Sequence, residues 1–213
     1  LDNIFEVQDE IAKAIVDALK LPLLGYDAQP LTSTKATENF AAYDLYLVGR
    51  HHGREYSEAG LKKSIEYFLA ALKVDPGFAS AYSGLADAYL LLSNYGNLPH
   101  GEALELSRNA SEKALAIDPS SPEALSSMGL LLNNLGNSSG AEAYFNKALE
   151  VNPNYVNALL WNTDSLFNQY RNTEALSMVK RAIKVDPLSP NVRRTYALQL
   201  IRQMQYDEAE RDI

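Results

Sequence analysis

The sequence predicts an all-α solenoid of about five repeated helix pairs. Three observations carry this. One phrase recurs four times: "AALKVDP" at Ala70–Pro76, "KALAIDP" at Lys113–Pro119, "KALEVNP" at Lys147–Pro153 and "RAIKVDP" at Arg181–Pro187. The closing prolines Pro119, Pro153 and Pro187 are 34 residues apart, the length of a helix–turn–helix unit, while Pro76 to Pro119 is 43. The residues between these phrases fall at helical spacing, with small side chains at fixed places.

The elements follow in chain order. "DNIFEVQDEIAKAIVDAL" places Ile4, Val7, Ile11, Ile15 and Ala18 on one face, and Asp2 or Asn3 can cap it. A separate amphipathic helix is expected over residues 1–20. "LPLLGYDAQPLTSTKAT", with Pro22, Gly25 and Pro30, reads as a linker over 21–37. The repeats fill 38–213. The first has Leu45, Val48 and Gly49, then Ser64, Phe68 and Ala71, with about three extra residues near Arg50–Tyr56. The second has Tyr82, Leu85, Ala86 and Tyr89, then Ser107, Ser111 and Ala114. It is about nine residues longer, and Gly96, Pro99 and Gly101 predict a loop within Ser93–Ala103.

The third repeat is the clearest. Leu125, Met128, Gly129 and Leu132 share one face, Gly136 ends that helix, and Ala141, Phe145 and Ala148 share a face of the next. Gly129, Ala141 and Ala148 are small where two antiparallel helices approach closely. The fourth has Leu159, Leu166, Ala175, Val179 and Ala182, but Asn162 and Thr163 replace the usual apolar and small residues. The fifth has Tyr196, Ala197, Leu200 and Ala209. Ile213 holds the slot of Phe68 and Phe145, so the array is expected to continue in a parent chain, leaving an open apolar face around Tyr196, Leu200 and Ala209.

The repeated phrase reads as punctuation. Asn152 precedes Pro153 and is driven out of the α region, and Pro153 starts the turn to the next unit. A basic residue near a helix C-terminus also suits the dipole.

Composition narrows function. The chain is 46% hydrophobic and 22% charged with net charge −8, ordinary for a folded chain. It starts at Leu1 rather than Met, as a fragment would. The absence of cysteine excludes disulfides, thiolate zinc sites and thiol catalysis. Residues 1–170 hold 11 Lys/Arg against 21 Asp/Glu, so no basic stripe exists for a phosphate backbone. The apolar runs are too short to span a bilayer. HExxH, P-loop, GxGxxG and GxSxG patterns are absent. His51 and His52 are adjacent on a helix and diverge by about 100°, so they do not face one metal together. His100 falls in the expected loop. Asp9/Glu10 and Asp207/Glu208 sit where charged helix surface is expected. No catalytic residue, metal or cofactor is expected.

The 34-residue pattern and its small and aromatic positions resemble the tetratricopeptide repeat (TPR) family over roughly residues 39–213. The resemblance implies a right-handed superhelix whose first helices line a concave, partner-binding groove. By helical phase the groove residues are Ser83, Asp87 and Leu90, then Ser126, Leu130, Asn133 and Asn134. The next units add Leu160, Trp161, Asp164, Phe167 and Asn168, then Asn191, Arg194 and Leu198. Asn134 and Asn168 would stack as an amide ladder for a peptide backbone. Trp161 and Phe167 would supply an apolar anchor, or Trp161 would pack between helices. Chaperone-binding members of the family use a basic clamp. The matching positions here are Ser83, Asp87, Ser127, Asn157 and Trp161, none basic, so an acidic peptide terminus is a poor candidate ligand.

The N-terminal helix and the following "NFAAYDLYLVGRHH" resemble bacterial proteins in which a TolB-like domain precedes a TPR array. Such proteins often begin with a cyclase, winged-helix or kinase domain, and this chain has the motifs of none. The expected function is a non-catalytic scaffold that binds a protein or peptide, without nucleic-acid binding or membrane insertion. The alternative is a cis-regulatory or oligomerising segment of a larger cyclase or winged-helix regulator. The expected compartment is the cytoplasm, or the periplasm if a parent chain is membrane-anchored.

Ala148→Leu should overpack the helix contact and lower stability by about 1–3 kcal/mol in urea unfolding.

Overall fold

The computed structural model describes residues 37–207 and residue 209. The chain divides into two units, 1–36 and 37–213, and the described residues belong to the second. The helix expected over 1–20, and the linker expected over 21–37 save Thr37, lie outside the described residues. So does Ile213.

Nine α-helices and no strand are present among the described residues. They are α1 (Phe40–Gly53), α2 (Glu58–Val74), α3 (Ala79–Tyr95), α4 (His100–Ile117), α5 (Pro122–Asn134), α6 (Ser138–Val151), α7 (Val156–Asn168), α8 (Asn172–Val185) and α9 (Pro190–Arg202). Each helix packs on the next, and α1 also meets α3, α3 meets α5, and α5 meets α7. First helices of the first four units therefore stack side by side along one face of an all-α solenoid.

Local chemistry sets the boundaries. Asn39, Ser57, Ser121 and Asn137 cap α1, α2, α5 and α6 by accepting from backbone N–H groups three residues on. Pro122 and Pro190 stand in the first turns of α5 and α9. The recurring phrase ends its helix as its spelling predicts. Asp75, Asp118 and Asn152 are extended, with φ of −133°, −136° and −133°, and each N–H still bonds the carbonyl of the Ala four residues back. Their side chains then accept from the backbone N–H of Gly77, Ser120 and Asn154 at 2.9, 2.9 and 3.0 Å. At these three ends the residue before the proline thus closes one helix and holds the next turn. Lys113 and Lys147 do not cap helix ends. They lie over the rings of Tyr82 and Tyr144, at 5.5 and 5.4 Å.

Within units, an aromatic side chain meets a glycine. A Cβ on Gly129 would lie 2.6 Å from the Phe145 ring, and one on Gly49 would lie 2.8 Å from Phe68. Phe145, Ala141 and Ala148 are fully buried, as the spacing predicts. In the first unit Val48 is exposed, and Ala42, Tyr46 and Gly49 turn inward instead. Tyr46 packs against Phe68 and Phe78, with ring centroids 5.8 and 4.9 Å apart.

Two expectations are corrected. The second unit's extra residues do not form a loop over Ser93–Ala103. They lengthen α3 to 17 residues and α4 to 18, leaving only residues 96–99 between them. Lengthened helices keep backbone groups bonded, which an exposed loop would leave to water. Tyr196, Leu200 and Ala209 are not open. All three are buried with Val179 and Ala182 of α8, and the Ala209 N–H already bonds the Gln205 carbonyl in a new helical turn. In the fourth unit Thr163 packs fully buried and donates to the Leu159 carbonyl at 2.8 Å. Asn162, equally buried, has no side-chain hydrogen-bond partner among the described residues. An amide left unpaired in this way costs about 1–3 kcal/mol relative to an apolar residue.

The turns inside units share one device. Gly136, Tyr170 and Met204, spaced 34 residues apart, all have left-handed backbone, with φ of 78°, 62° and 60°. Behind them Asn137, Arg171 and Gln205 bond the carbonyls of Leu132, Leu166 and Leu200, each five residues back. This is the Schellman closure. Only one turn uses the residue that adopts it without strain. Tyr170→Gly and Met204→Gly should each raise stability, by up to about 1 kcal/mol after the greater freedom of glycine in the unfolded chain is deducted. Gly136→Ala should lower it by a similar amount. Urea unfolding midpoints of the three variants check this.

Candidate protein-binding face

The face expected to be concave is that of the first helices α1, α3, α5, α7 and α9. Asp87, Asn134, Trp161, Asp164, Asn168, Asn191 and Arg194 reach solvent there at least in part. Ser83, Ser126, Leu130 and Leu160 do not, and neither does Leu90. The reason is the side-by-side stacking of first helices, whose contact covers residues that phase on an isolated helix leaves open. Leu90, Leu130 and Leu131 form a buried cluster against which Leu104, Met128 and Trp161 pack. Trp161 is therefore wedged at the helix contact with part of its ring outside. Ser83 donates to the Ala79 carbonyl within its own helix at 3.2 Å. The amide ladder is not assembled from Asn134, whose Nδ2 donates to the Leu130 carbonyl at 2.9 Å. Phe167 is no open anchor either, since the Arg202 guanidinium stands 3.8 Å from its ring centre.

Around Asp87 the face becomes a polar centre. Ser127 Oγ donates to Asp87 Oδ1 at 2.6 Å. Burial pushes the Asp87 carboxyl up to about 8, against the opposing pull of the Ser127 hydrogen bond and of Arg50, with Glu123 adding to the rise. Burial likewise raises the Tyr155 hydroxyl, helped by Glu123 and Asp87. These couplings bring Arg50, Asp87, Glu123 and Tyr155, from three helices and a turn, into one electrostatic neighbourhood. Asp87 is thus largely a neutral carboxyl at pH 7, able to donate as well as accept. Toward the other end, Asp164 Oδ1 lies 3.9 Å from Arg202. Although 55% of its side chain is exposed, the hollow still raises its carboxyl, while Arg202 and Arg194 oppose the rise.

Arg50, Glu123, Tyr155 and Arg202 escaped the sequence reading. A signal existed for Arg50, which stands at the same helical phase in α1 as Asp87 in α3. Glu123 and Tyr155 gave none, because they matter only through contacts between units. Two shallow depressions lie elsewhere. One, of about 340 Å³, is bordered by Leu45, His52, Lys63 and Tyr67. The other, of about 360 Å³, runs along α8 past Thr173, Leu176, Lys180 and Lys184. His52 is occupied by Glu55 at 2.7 Å and stacks on Tyr67. No group of three or more metal-ligating side chains occurs among the described residues, and none of their helices is long and apolar enough to cross a membrane.

Comparison with known proteins agrees with this architecture. Residues 56–97 and 122–155 each match the tetratricopeptide repeat, and neither match is to a catalytic family. A thermophilic TPR protein of Thermus thermophilus superposes with a TM-score of 0.61 at 20% identity, over 75% of this chain and 81% of that one. PilW, a type IV pilus biogenesis factor, gives 0.59 at 22% identity, over 82% and 76%. In sequence, the chain is 22% identical over 181 residues to the transcriptional regulator HilA of Salmonella typhimurium, matching 85% of this chain and 32% of that protein. It is 27% identical over 136 residues to putative adenylate cyclase 3 of Rhizobium meliloti, matching 62% of this chain and 23% of that protein. The chain thus spans less than a third of the length of either relative.

Asp87 yields a prediction with a definite sign. Unfolded aspartate releases its proton near pH 3.9, whereas the folded carboxyl holds it to about pH 8. The folded state binds the proton more tightly, so this contribution is complete below about pH 4 and is lost as pH rises through 8. Asp87→Asn is neutral throughout. Its stability relative to the native chain should increase from pH 5 to pH 9, measured by urea unfolding at each pH.

Proposed function

We propose that this chain, which belongs to the tetratricopeptide repeat family, is a non-catalytic scaffold that holds a peptide or a helix of another protein along its concave face. One observation carries the reading. Asp164, Asn168 and Arg194 are exposed on neighbouring first helices beside the half-buried Trp161. Helical backbone is internally bonded and offers a ligand almost nothing, so recognition must come from such side chains. A partly exposed tryptophan rimmed by polar groups has the makeup of a binding anchor. The buried Ser126, Leu130 and Leu160 take part in the packing of the first helices and not in contact with a partner.

Asp164→Arg with Asn168→Arg changes only exposed groups and should leave helicity intact. Selection from a displayed library of random peptides, on native and variant protein, tests the assignment. The peptides enriched by the native chain should lose binding to the double variant. Equal binding to both would refute the concave-face assignment.

A second reading is favoured by the sequence relatives, one a transcriptional regulator and the other a putative cyclase. Here the array controls a domain attached in cis, in part through self-association. Light scattering over a concentration series should then show a mass that rises with concentration; a monomer throughout removes the self-association part.

A further inference from the structure

The turn between α1 and α2 behaves unlike the other turns. Its left-handed residue is Tyr56, with φ of 48°. The ring meets Tyr95 edge-on, with centroids 5.6 Å apart and planes at 68°. The hydroxyl accepts from Asn191 Nδ2 at 2.9 Å, a contact between residues 135 apart in the chain. Asn191 stands in the first turn of α9. Arg194 donates to Asn191 Oδ1 at 3.1 Å, which fixes the amide so that its NH₂ faces the tyrosine. The first unit thus touches the fifth directly. Tyr170 and Met204 have the same left-handed backbone, yet they point to solvent, 90% and 77% exposed. Left-handed backbone by itself does not draw Tyr56 inward. The surroundings it enters do.

We propose that Tyr95, Asn191 and Arg194 form a subsite for a tyrosine side chain, which Tyr56 fills from within until a tyrosine-bearing peptide displaces it. This rests on the concave face being the peptide-binding surface. The subsite offers what a tyrosine needs: an aromatic edge contact and an oriented amide donor for the hydroxyl. Burial raises the Tyr56 hydroxyl, with Arg194 and Arg54 opposing, so the group there stays a neutral phenol over the physiological range. A phenylalanine would leave the Asn191 amide without its acceptor, and a site built around a hydroxyl rejects the analogue lacking it. Tyr56 competes as a tethered group, at high effective concentration.

The absence of cysteine allows a clean test. Spin labels on Ala59→Cys and Leu188→Cys, both at exposed positions, report the separation of the first and fifth units. Native Tyr56 should give one narrow distance distribution, and Tyr56→Ala and Tyr56→Phe should broaden it. N-acetyl-L-tyrosinamide, titrated by NMR, should bind Tyr56→Ala at least about tenfold more tightly than it binds the native chain. It should bind that variant more tightly than N-acetyl-L-phenylalaninamide or N-acetyl-L-leucinamide. Adding Asn191→Ala should erase the preference for tyrosine over phenylalanine. If Tyr56→Ala loses helicity, Tyr56→Phe, which keeps the ring contact, carries the same comparison. Broadened distances without a preference for tyrosinamide would overturn the subsite, as would no preference with unchanged distances. Either result leaves the concave-face reading to its own peptide selection.

Discussion

In the first and third units the contact of an aromatic ring with a glycine fixes the helix pair on which the stack is built. Phe145 lies so close to Gly129 that no side chain fits between them, and Phe68 does the same at Gly49. That approach sets the distance between the two helices of a pair. With Ala141 and Ala148 buried at the same seam, the pair becomes a rigid plate. Plates of equal thickness can stack, and stacking aligns their first helices into a continuous face. Without the close approach the units would differ in thickness, and the face would lose its register.

Stacking in turn decides which side chains a partner meets. Contact between first helices removes Ser126, Leu130 and Leu160 from the surface and presses Trp161 against Leu90 and Leu130. It also brings a carboxyl, Asp87, against a serine of the next first helix. The unusual electrostatics of the concave face are thus a by-product of repeat packing. Burial of one acid and proximity of Glu123 come from different units, and no single repeat contains the arrangement.

Much of the fold was legible in the residues. The 34-residue spacing located the helix pairs, the residue before each proline marked helix ends, and the small residues marked the seams. The departures have physical causes. Extra residues in the second unit extended its helices, because a helix satisfies its own backbone. Left-handed turns were visible at Gly136 but not at Tyr170 or Met204, since tertiary packing imposes there a backbone that propensity disfavours. The site was less legible. Phase on one helix identified Asp87, Asp164, Asn168 and Arg194 as outward-facing, yet could not tell that Ser126 or Leu160 would be covered by a neighbour.

By itself, then, the sequence determined the unit: its length, its helix ends, and the small and aromatic residues that fix its thickness. Those features act over a few turns of chain, where spacing translates directly into contact. Tertiary structure alone decided how the units face one another. The meeting of Tyr56 with Asn191, the neutral Asp87 beside Ser127, and Arg202 over Phe167 join residues from different units. Their proximity follows from how the units pack on one another, summed over the whole stack for Tyr56 and Asn191, and no local pattern in the chain encodes it.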